Sequence, residues 1–501
     1  MKQIHALPGI RVEGVEPGKG FHVSRLRIVQ RLDAPSQCEL RWSALTSDTS
    51  ARQQVAVKPG DLLSVHIDGQ PAAVFSGEVA SVEHLHEPSG AFTLCVRAYD
   101  ALGRLQHRQT VRTHVEITTA ELARTLASEA GMNTEASAEG PVWPRIVPRF
   151  AHDLALLREY AARSDLHFFV LDETLCLFSL QALEDDILEL SLGENLFETR
   201  LEHNALRSVN TVRLLGWDLH TGEPRQVQSQ RATNITVGEY STGERTLLGA
   251  VVESDSEAEF LLAAELERNQ AASEVMWGVA EGDVALRPGR RVRVRGVAAG
   301  QEGPYLLRTV VHTLDADSGY ICELDTRPES PDHPQALPAL VVAEVCDVDD
   351  PEDSGRVQVS LNSFGDALSS WMMVLQLGAG NDKGVVVLPE VGDRVLVALP
   401  DGDPSRGIVL GGLFHRDGPP RDPNAAHRSG EHRPYSLVTR GGQRIQLNDA
   451  DGSIRLQNSE GSFLSLTPDG LLLHAEGELV IEAPGKRLVL GADRIDMQRR
   501  T

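Results

Sequence analysis

Two aspartates, Asp401 and Asp403, flank a glycine inside GDRVLVALPDGDPSRGIVLGGLF, residues 392–414, between two apolar runs. Two carboxylates held close together can share general acid–base work. Here, however, no histidine, nucleophile or further acid stands close in sequence, and Asp-Gly followed by Asp-Pro is turn chemistry. The pair is therefore expected to shape a hairpin, with Gly402 supplying the positive φ, rather than to catalyse. His84 and His86 in VEHLHEPSG sit at i and i+2. One side of a strand would hold both, but a metal site needs a third ligand, and none is visible. The five cysteines, Cys38, Cys95, Cys176, Cys322 and Cys346, are far apart with no CxxC spacing. They read as small buried residues of a chain made in a reducing compartment, not as a zinc site or a disulfide framework. Neither catalytic residues nor a cofactor site is expected.

The elements that carry these residues are mostly strands. A chain of 501 residues with 41% hydrophobic content suggests about three packed domains. A formal net charge of −24 argues against nucleic acid as a partner, because phosphate contacts need clustered Lys and Arg. The start, MKQIHALPGIRVEG, has no apolar run after its lysine, so no secretory signal is expected. No run of eighteen apolar residues occurs, so no membrane-spanning helix is expected.

RLRIVQRL (Arg25–Leu32), LLSVHI (Leu62–Ile67) and FTLCVRAY (Phe92–Tyr99) read as strands. ITTAELARTLASEAG predicts a helix, with Thr118 and Glu121 at capping-box spacing and a stop at Gly131. A second helix is predicted in Ala151–Asp165, with Leu154, Leu157 and Ala161 on one face, and a third from Ser254 to about Met276, with rows of Phe260, Leu261, Ala264 and Leu266. SVNTVRLLGWD, LRPGRRVRVRG and GPYLLRTVVHTLDADSGYICEL return to strands. RPESPDHPQALP, with four prolines, and residues 415–434 read as linkers. Between them VAEVCDV, GRVQVSL, SWMMVLQ, RVLVALP and GIVLGGLF suit a closed five-stranded barrel.

Beyond Tyr435 glycines recur at 442, 452, 461, 470, 477 and 485. Short strands fall between them, with apolar pairs at i and i+2: Ile445/Leu447, Ile454/Leu456, Leu464/Leu466, Leu471/Leu473, Leu479/Ile481, Leu488/Leu490 and Ile495/Met497. A single-chain solenoid uses about three strands per coil, and at least about three stacked units are needed to bury a continuous core. Seven strands fall short. Three chains wound together supply the missing neighbours, so the repeat predicts an obligate homotrimer. Its core is Ile445, Leu447, Ile454, Leu456, Leu464, Leu466, Leu479, Ile481, Leu488 and Leu490, with Ile495 and Met497 at a blunt apolar end.

This order of parts resembles the VgrG-like and phage-tail hub-and-spike family. The strongest motif is the run from GRVQVSL to GIVLGGLF (Gly355–Phe414), which is similar to the family's OB-fold barrel; LRPGRRVRVRG and GPYLLRTVVH with Tyr320 resemble the end of the hub. The usual Asn-Glu-Ile signature of type VI spikes is missing from the passage before the needle, and RLRIVQRLDAPSQCELRW is closer to phage or extracellular hubs, so the chain looks most like the spike of an extracellular contractile injection system. The resemblance implies a mainly β, multidomain chain: a tube-adapting hub over 1–335, with two β-barrel-type subdomains and helical insertions, an OB-fold barrel over 340–415, a linker over 416–434 and a triple-stranded β-helix needle over 435–501. It further implies a homotrimer at the tip of an inner tube, with tube and baseplate proteins, a PAAR-type tip protein on Ile495 and Met497, and effector cargo as partners. The target membrane is met only on piercing. Such a spike is made in the bacterial cytoplasm and carried out by contraction or lysis. The linker after Phe414 and the residues after Arg494 are too short for a fused enzyme, so no catalysis is expected. A VgrG spike of a type VI system and a trimeric phage-tail-type depolymerase are the alternatives; the second needs aromatic-rich sugar platforms, and only 5% of residues are aromatic.

Overall fold

The structure is a computed structural model of the full chain. It describes residues 8–17, 20–45, 56–88, 91–180, 187–218, 243–252, 254–298, 300–328, 338–381, 383–416, 418–419 and 434–498, together with the strand backbone at 224–230. Residues 329–337 of the predicted linker at 327–338, most of the linker at 415–434, and His427 and His432 lie outside the described residues. Two compact units result, Met1–Leu413 and Phe414–Thr501.

The first unit is built on a ten-stranded antiparallel sheet. Its order is Ile10–Glu13, Leu62–Ile67, Ala73–His86, Ala91–Tyr99, Gln37–Leu45, His22–Arg31, Thr309–Asp315, Gly319–Asp325, Glu274–Glu281 and Leu196–His203. A strand from the first hundred residues thus pairs directly with one nearer the end of the hub, through Ile28 opposite His312 and Val29 opposite Val311. The hub subdomains expected from the sequence are therefore joined by one shared ladder. Leu26, Ile28, Leu40, Val65, Leu94 and Val96 form one core of the sheet, and Met276, Val292, Val294, Val310, Cys322 and Leu324 another.

Among the described residues four α-helices sit in the loops: α1 (Gly103–Gln106), α2 (Thr119–Glu129), α3 (Asp153–Arg163) and α4 (Asp255–Ser273). Helix α2 begins as the sequence predicts, with the Glu121 N–H donating to the Thr118 hydroxyl and the Thr118 N–H to the Glu121 carboxylate. Leu122, Leu126, Leu154, Leu157 and Trp143 close a core beside a small sheet of Asn133–Ala136, Thr174–Phe178 and His167–Leu171. Helix α4 departs from expectation. Its buried face carries Glu257, Glu265 and Asn269 beside Ala258, Leu262 and Leu266, while the predicted row members Phe260 and Leu261 are only half-buried. The two glutamates go inward because each meets arginine there: Glu265 is paired with Arg245 and Arg268, and Glu257 with partners described below.

The barrel has the strand order Ala367–Leu368, Gln358–Leu361, Ala339–Asp347, Arg394–Leu399, Ile408–Gly412 and Met373–Val374. Ala343, Val345, Val359, Leu361, Val395, Val397, Leu399 and Val409 fill its interior. Asp350 grips Arg356 through a nearly fully buried fork (2.6 Å). That fork, against the opposing effect of burial, is what holds the Asp350 carboxyl well below its usual range.

The second unit is an antiparallel meander of Tyr435–Val438, Arg444–Asn448, Ser453–Gln457, Phe463–Thr467 and Gly470–His474. Gly442 (φ 89°) and Gly461 (φ 100°) close turns there in a conformation glycine adopts freely. The three further strands predicted at Glu478–Ala483, Arg487–Gly491 and Arg494–Gln498 form no ladder in this chain. The ladder stops at the edge strand Gly470–His474, so the needle expected over 435–501 is seen in this chain only as a five-stranded meander.

A charged knot secures the hub. The His167 Nδ1 lies 2.7 Å from Asp33, its Nε2 3.8 Å from Glu267, and Arg308 donates to Glu267 at 2.6 Å. Burial alone would lower the His167 pKa, but Asp33 and then Glu267 override it and hold the ring up to about 9. The folded pKa lies above the usual histidine value of about 6.5, so this stabilisation is complete below about pH 6.5 and disappears as pH rises through 9. Urea midpoints measured from pH 6.5 to 9.5 should fall for the native chain and stay flat across that window for His167→Gln.

Candidate functional site

The stretch between Leu399 and Ile408 is where the barrel meets the hub. Its turn is tighter than the sequence suggests, since both Asp401 (φ 52°) and Gly402 (φ 61°) take the left-handed conformation. Asp-Gly suits two such residues in succession. The Arg149 guanidinium, from the loop before α3, donates to the Asp401 carbonyl at 2.7 Å. Arg145, from the strand Val142–Ile146, donates to the Leu368 carbonyl at 3.0 Å.

Asp403 is not mere punctuation. It is 6% exposed, accepts from the Ser405 N–H (3.0 Å) and hydroxyl (2.6 Å), and lies 3.9 Å from Arg163 and 4.0 Å from Arg406. Glu257 of α4 completes the cluster, accepting from Arg163 at 2.5 Å and Arg406 at 2.8 Å. Arg163, at the end of α3, also covers the Trp143 ring at 4.6 Å. Two carboxylates and two guanidiniums from α3, α4 and the barrel thus neutralise one another in a water-poor joint. Burial pushes the Asp403 carboxyl up, but the Arg406, Arg163 and Arg149 charges outweigh it and keep the pKa below its ordinary value. Sequence reading missed the cluster because Glu257 lies 94 residues from Arg163 and 149 from Arg406. The local signal at Glu257, S-x-x-E over Ser254–Glu257, reads as a helix start, and the Glu257 N–H does donate to the Ser254 hydroxyl.

The other candidate residues are elsewhere. His84 and His86 rest against Phe92, at 5.9 and 4.7 Å between ring centres. Among the described residues no three His, Cys, Asp or Glu side chains converge as a metal site. A pair the sequence did not single out, His312 and Cys322, is in contact at 3.2 Å, with the Tyr320 hydroxyl 3.1 Å from the same ring nitrogen. Burial pushes the imidazole down to about 4 and the thiol up to about 12. Near neutral pH the pair is therefore imidazole and thiol, the unreactive forms.

The second unit presents one wholly apolar face. Register places Ile445 opposite Leu456, Leu447 opposite Ile454, Leu456 opposite Leu464, Ile454 opposite Leu466 and Leu466 opposite Leu471, so the i/i+2 residues share one side of the sheet. In Arg444–Asn448 and Ser453–Gln457 the apolar residues are the exposed ones, and the polar residues between them are half-buried. Leu479, Ile481, Leu488 and Leu490 are 52–62% exposed, Ile495 52% and Met497 87%.

A long antiparallel hub continuous with a small barrel, with a glycine-punctuated β-segment that bears an exposed apolar face, is similar in fold to VgrG-like proteins of the type VI and phage-baseplate kind. Residues 341–414 match the type VI secretion system/phage-baseplate injector OB domain. Residues 8–316, more than half of the chain, match the Alg8 N-terminal domain, and the chain belongs to that family. The type VI spike protein VgrG1c of Pseudomonas aeruginosa is 31% identical over 135 residues, 26% of this chain and 17% of the relative. VgrG1b of the same organism is 30% identical over 135 residues, 26% of this chain and 16% of the relative. The match therefore spans less than a fifth of either curated relative. Two solved structures share the fold. The Escherichia coli c3393 protein, a type VI component described as similar to the phage T4 tail proteins gp27 and gp5, aligns with a TM-score of 0.55 at 14% identity, over 81% of this chain and all of that one. A chain of the Francisella PdpA-VgrG complex aligns with a TM-score of 0.57 at 8% identity, over 93% of this chain and 79% of that one.

Glu257→Gln removes the shared carboxylate and leaves Arg163 and Arg406 buried without it. Breaking such a network costs about 3–5 kcal/mol, and the first unit should lose that much in equilibrium unfolding. Replacing an exposed acid such as Glu198 should change stability by less than about 0.5 kcal/mol.

Proposed function

We propose that the chain is the central spike of a contractile injection machine. It acts as a homotrimer at the tip of the inner tube, nucleates baseplate and tube assembly, and is driven through a target envelope when the sheath contracts. One observation carries this reading: a sheet with an exposed face of leucines and isoleucines, which in Arg444–Asn448 and Ser453–Gln457 are more exposed than the polar residues between them. Burying the exposed half of each such side chain is worth about 1 kcal/mol. Eight of them, Ile445, Leu447, Ile454, Leu456, Leu464, Leu466, Leu471 and Leu473, share one face, and together they rival the 5–15 kcal/mol net stability of a typical domain. Wet, that face is a liability; wrapped by two further copies it is a core. The segments 478–483, 487–491 and 494–498, extended and without ladders here, gain neighbours in the same step.

The bare end at Ile495 and Met497 suits a PAAR-type tip protein, and effector cargo suits either the tip or the needle. The work is mechanical, without catalytic turnover. Synthesis is in the bacterial cytoplasm, and delivery outside is by contraction or lysis. Of the two machine classes we favour an extracellular particle over a type VI apparatus; neighbouring genes for sheath, tube and an extracellular-type ATPase would support it, and membrane-complex genes would refute it.

Light scattering on the purified native chain should give three times the chain mass. Leu456→Asp combined with Leu464→Asp, a facing pair on the apolar side, should give monomers. A stable native monomer would overturn the trimeric spike. Release of peptidoglycan or polysaccharide fragments above a buffer control would overturn the mechanical reading.

A further inference from the structure

The barrel carries two apolar surfaces that the described residues of its own chain leave open. The first is its outer wall. The strands Ala339–Asp347 and Arg394–Leu399 pair with Leu340 opposite Ala398, Val342 opposite Leu396 and Glu344 opposite Arg394. Their inward residues Ala343, Val345, Val395, Val397 and Leu399 are buried, so these partners face outward. A barrel wall that meets water should alternate apolar inside with polar outside, whereas strands apolar on both sides are normally covered on both sides. Leu340 is 63% and Val342 50% exposed, in a groove of about 560 Å³ edged by Glu344, Asn362, Ser363 and Arg394.

The second surface is a tongue leaving the barrel after Val374 and returning at Gly392. It is ordered by its own hydrogen bonds. The Val385 N–H donates to the Leu377 carbonyl (2.9 Å), and Gly380 and Lys383 exchange backbone bonds (3.0 and 3.2 Å). The Gln376 amide acts as a strand would, donating to the Val387 carbonyl (3.1 Å) and accepting from its N–H (2.9 Å). This arrangement holds Leu377 79%, Val386 80% and Val387 56% exposed.

We propose that the tongue of one copy lies in the outer-wall groove of the next copy of the same chain. The two surfaces match in chemistry, one protruding and one recessed. Lys383 at the tongue's tip and Glu344 at the groove's edge are of opposite sign. Neither surface covers the other within one chain. Because they are different patches of one rigid unit, the contact is head-to-tail, and such contacts close into rings when the rotation permits. This inference rests on the trimeric reading above, which requires a threefold ring. It makes the barrel a second, independent clasp between copies.

The test uses the full chain with Cys346→Ser, which removes the exposed native thiol of the outer wall. Adding Val342→Cys and Val386→Cys and oxidising mildly should give dimer and closed-trimer bands on a non-reducing gel, abolished by reductant and absent from the Cys346→Ser parent. A chain that is trimeric by light scattering but gives no such bands overturns the tongue contact and leaves the trimer standing. A native chain that is monomeric overturns both. Should the double-cysteine chain fail to fold, Val386→Asp decides. A rise of at least tenfold in the concentration at which the trimer dissociates supports the contact, and no change overturns it.

Discussion

Everything in the first unit depends on how a few buried charges are neutralised where hub and barrel meet. The Glu257 carboxylate accepts from Arg163 and Arg406 at once, and Asp403 answers the same two arginines from the barrel side. A buried charge without a partner costs several kcal/mol, while a matched set costs little. The hydrophobic cores on either side tolerate small shifts, but this cluster requires its hydrogen-bond distances. It therefore fixes the orientation of a barrel that the surrounding apolar packing alone would leave less specified. For a protein read as transmitting force along its axis, a joint of this kind favours stiffness over compliance.

The same chain leaves its largest apolar surfaces uncovered. The outer barrel wall, the tongue and one side of the meander all present aliphatic residues where a self-sufficient domain places charge. Exposed apolar faces of this size are the mark of an interaction surface. The chain's 24 net negative charges sit with this pattern, since they keep such a surface soluble before assembly without competing for the apolar contacts.

Much of the fold was legible from local pattern. The capping box at Thr118 and Glu121, the alternating strands of the sheet, the barrel strands and the first four repeat strands follow from spacing alone. The failures share a cause. Phe260 and Leu261 were chosen for the inner face of α4 because they are apolar, yet Glu257 and Glu265 go inside, their charge met by arginines remote in sequence. Asp403 read as a turn residue because Pro404 and Gly402 beside it are turn residues. Its role depends on Arg163, which no local window contains. The segments after residue 478 keep the apolar alternation of the repeat, but alternation fixes which side chains share a face and not which strand is the neighbour, and they add no rung beyond Gly470–His474.

By itself the sequence determined the β-rich class, the barrel with its Asp-Gly hairpin, and a C-terminal repeat whose apolar period is two. These depend on side-chain alternation and turn conformation, which are local. Only the tertiary structure decided that one ladder joins residues 22–31 to 309–315, that Glu257 and Asp403 share their arginines, and which apolar faces stay bare. Those depend on which distant segments come within a few ångströms, where Coulomb attraction and burial act, and distance along the chain carries no record of it.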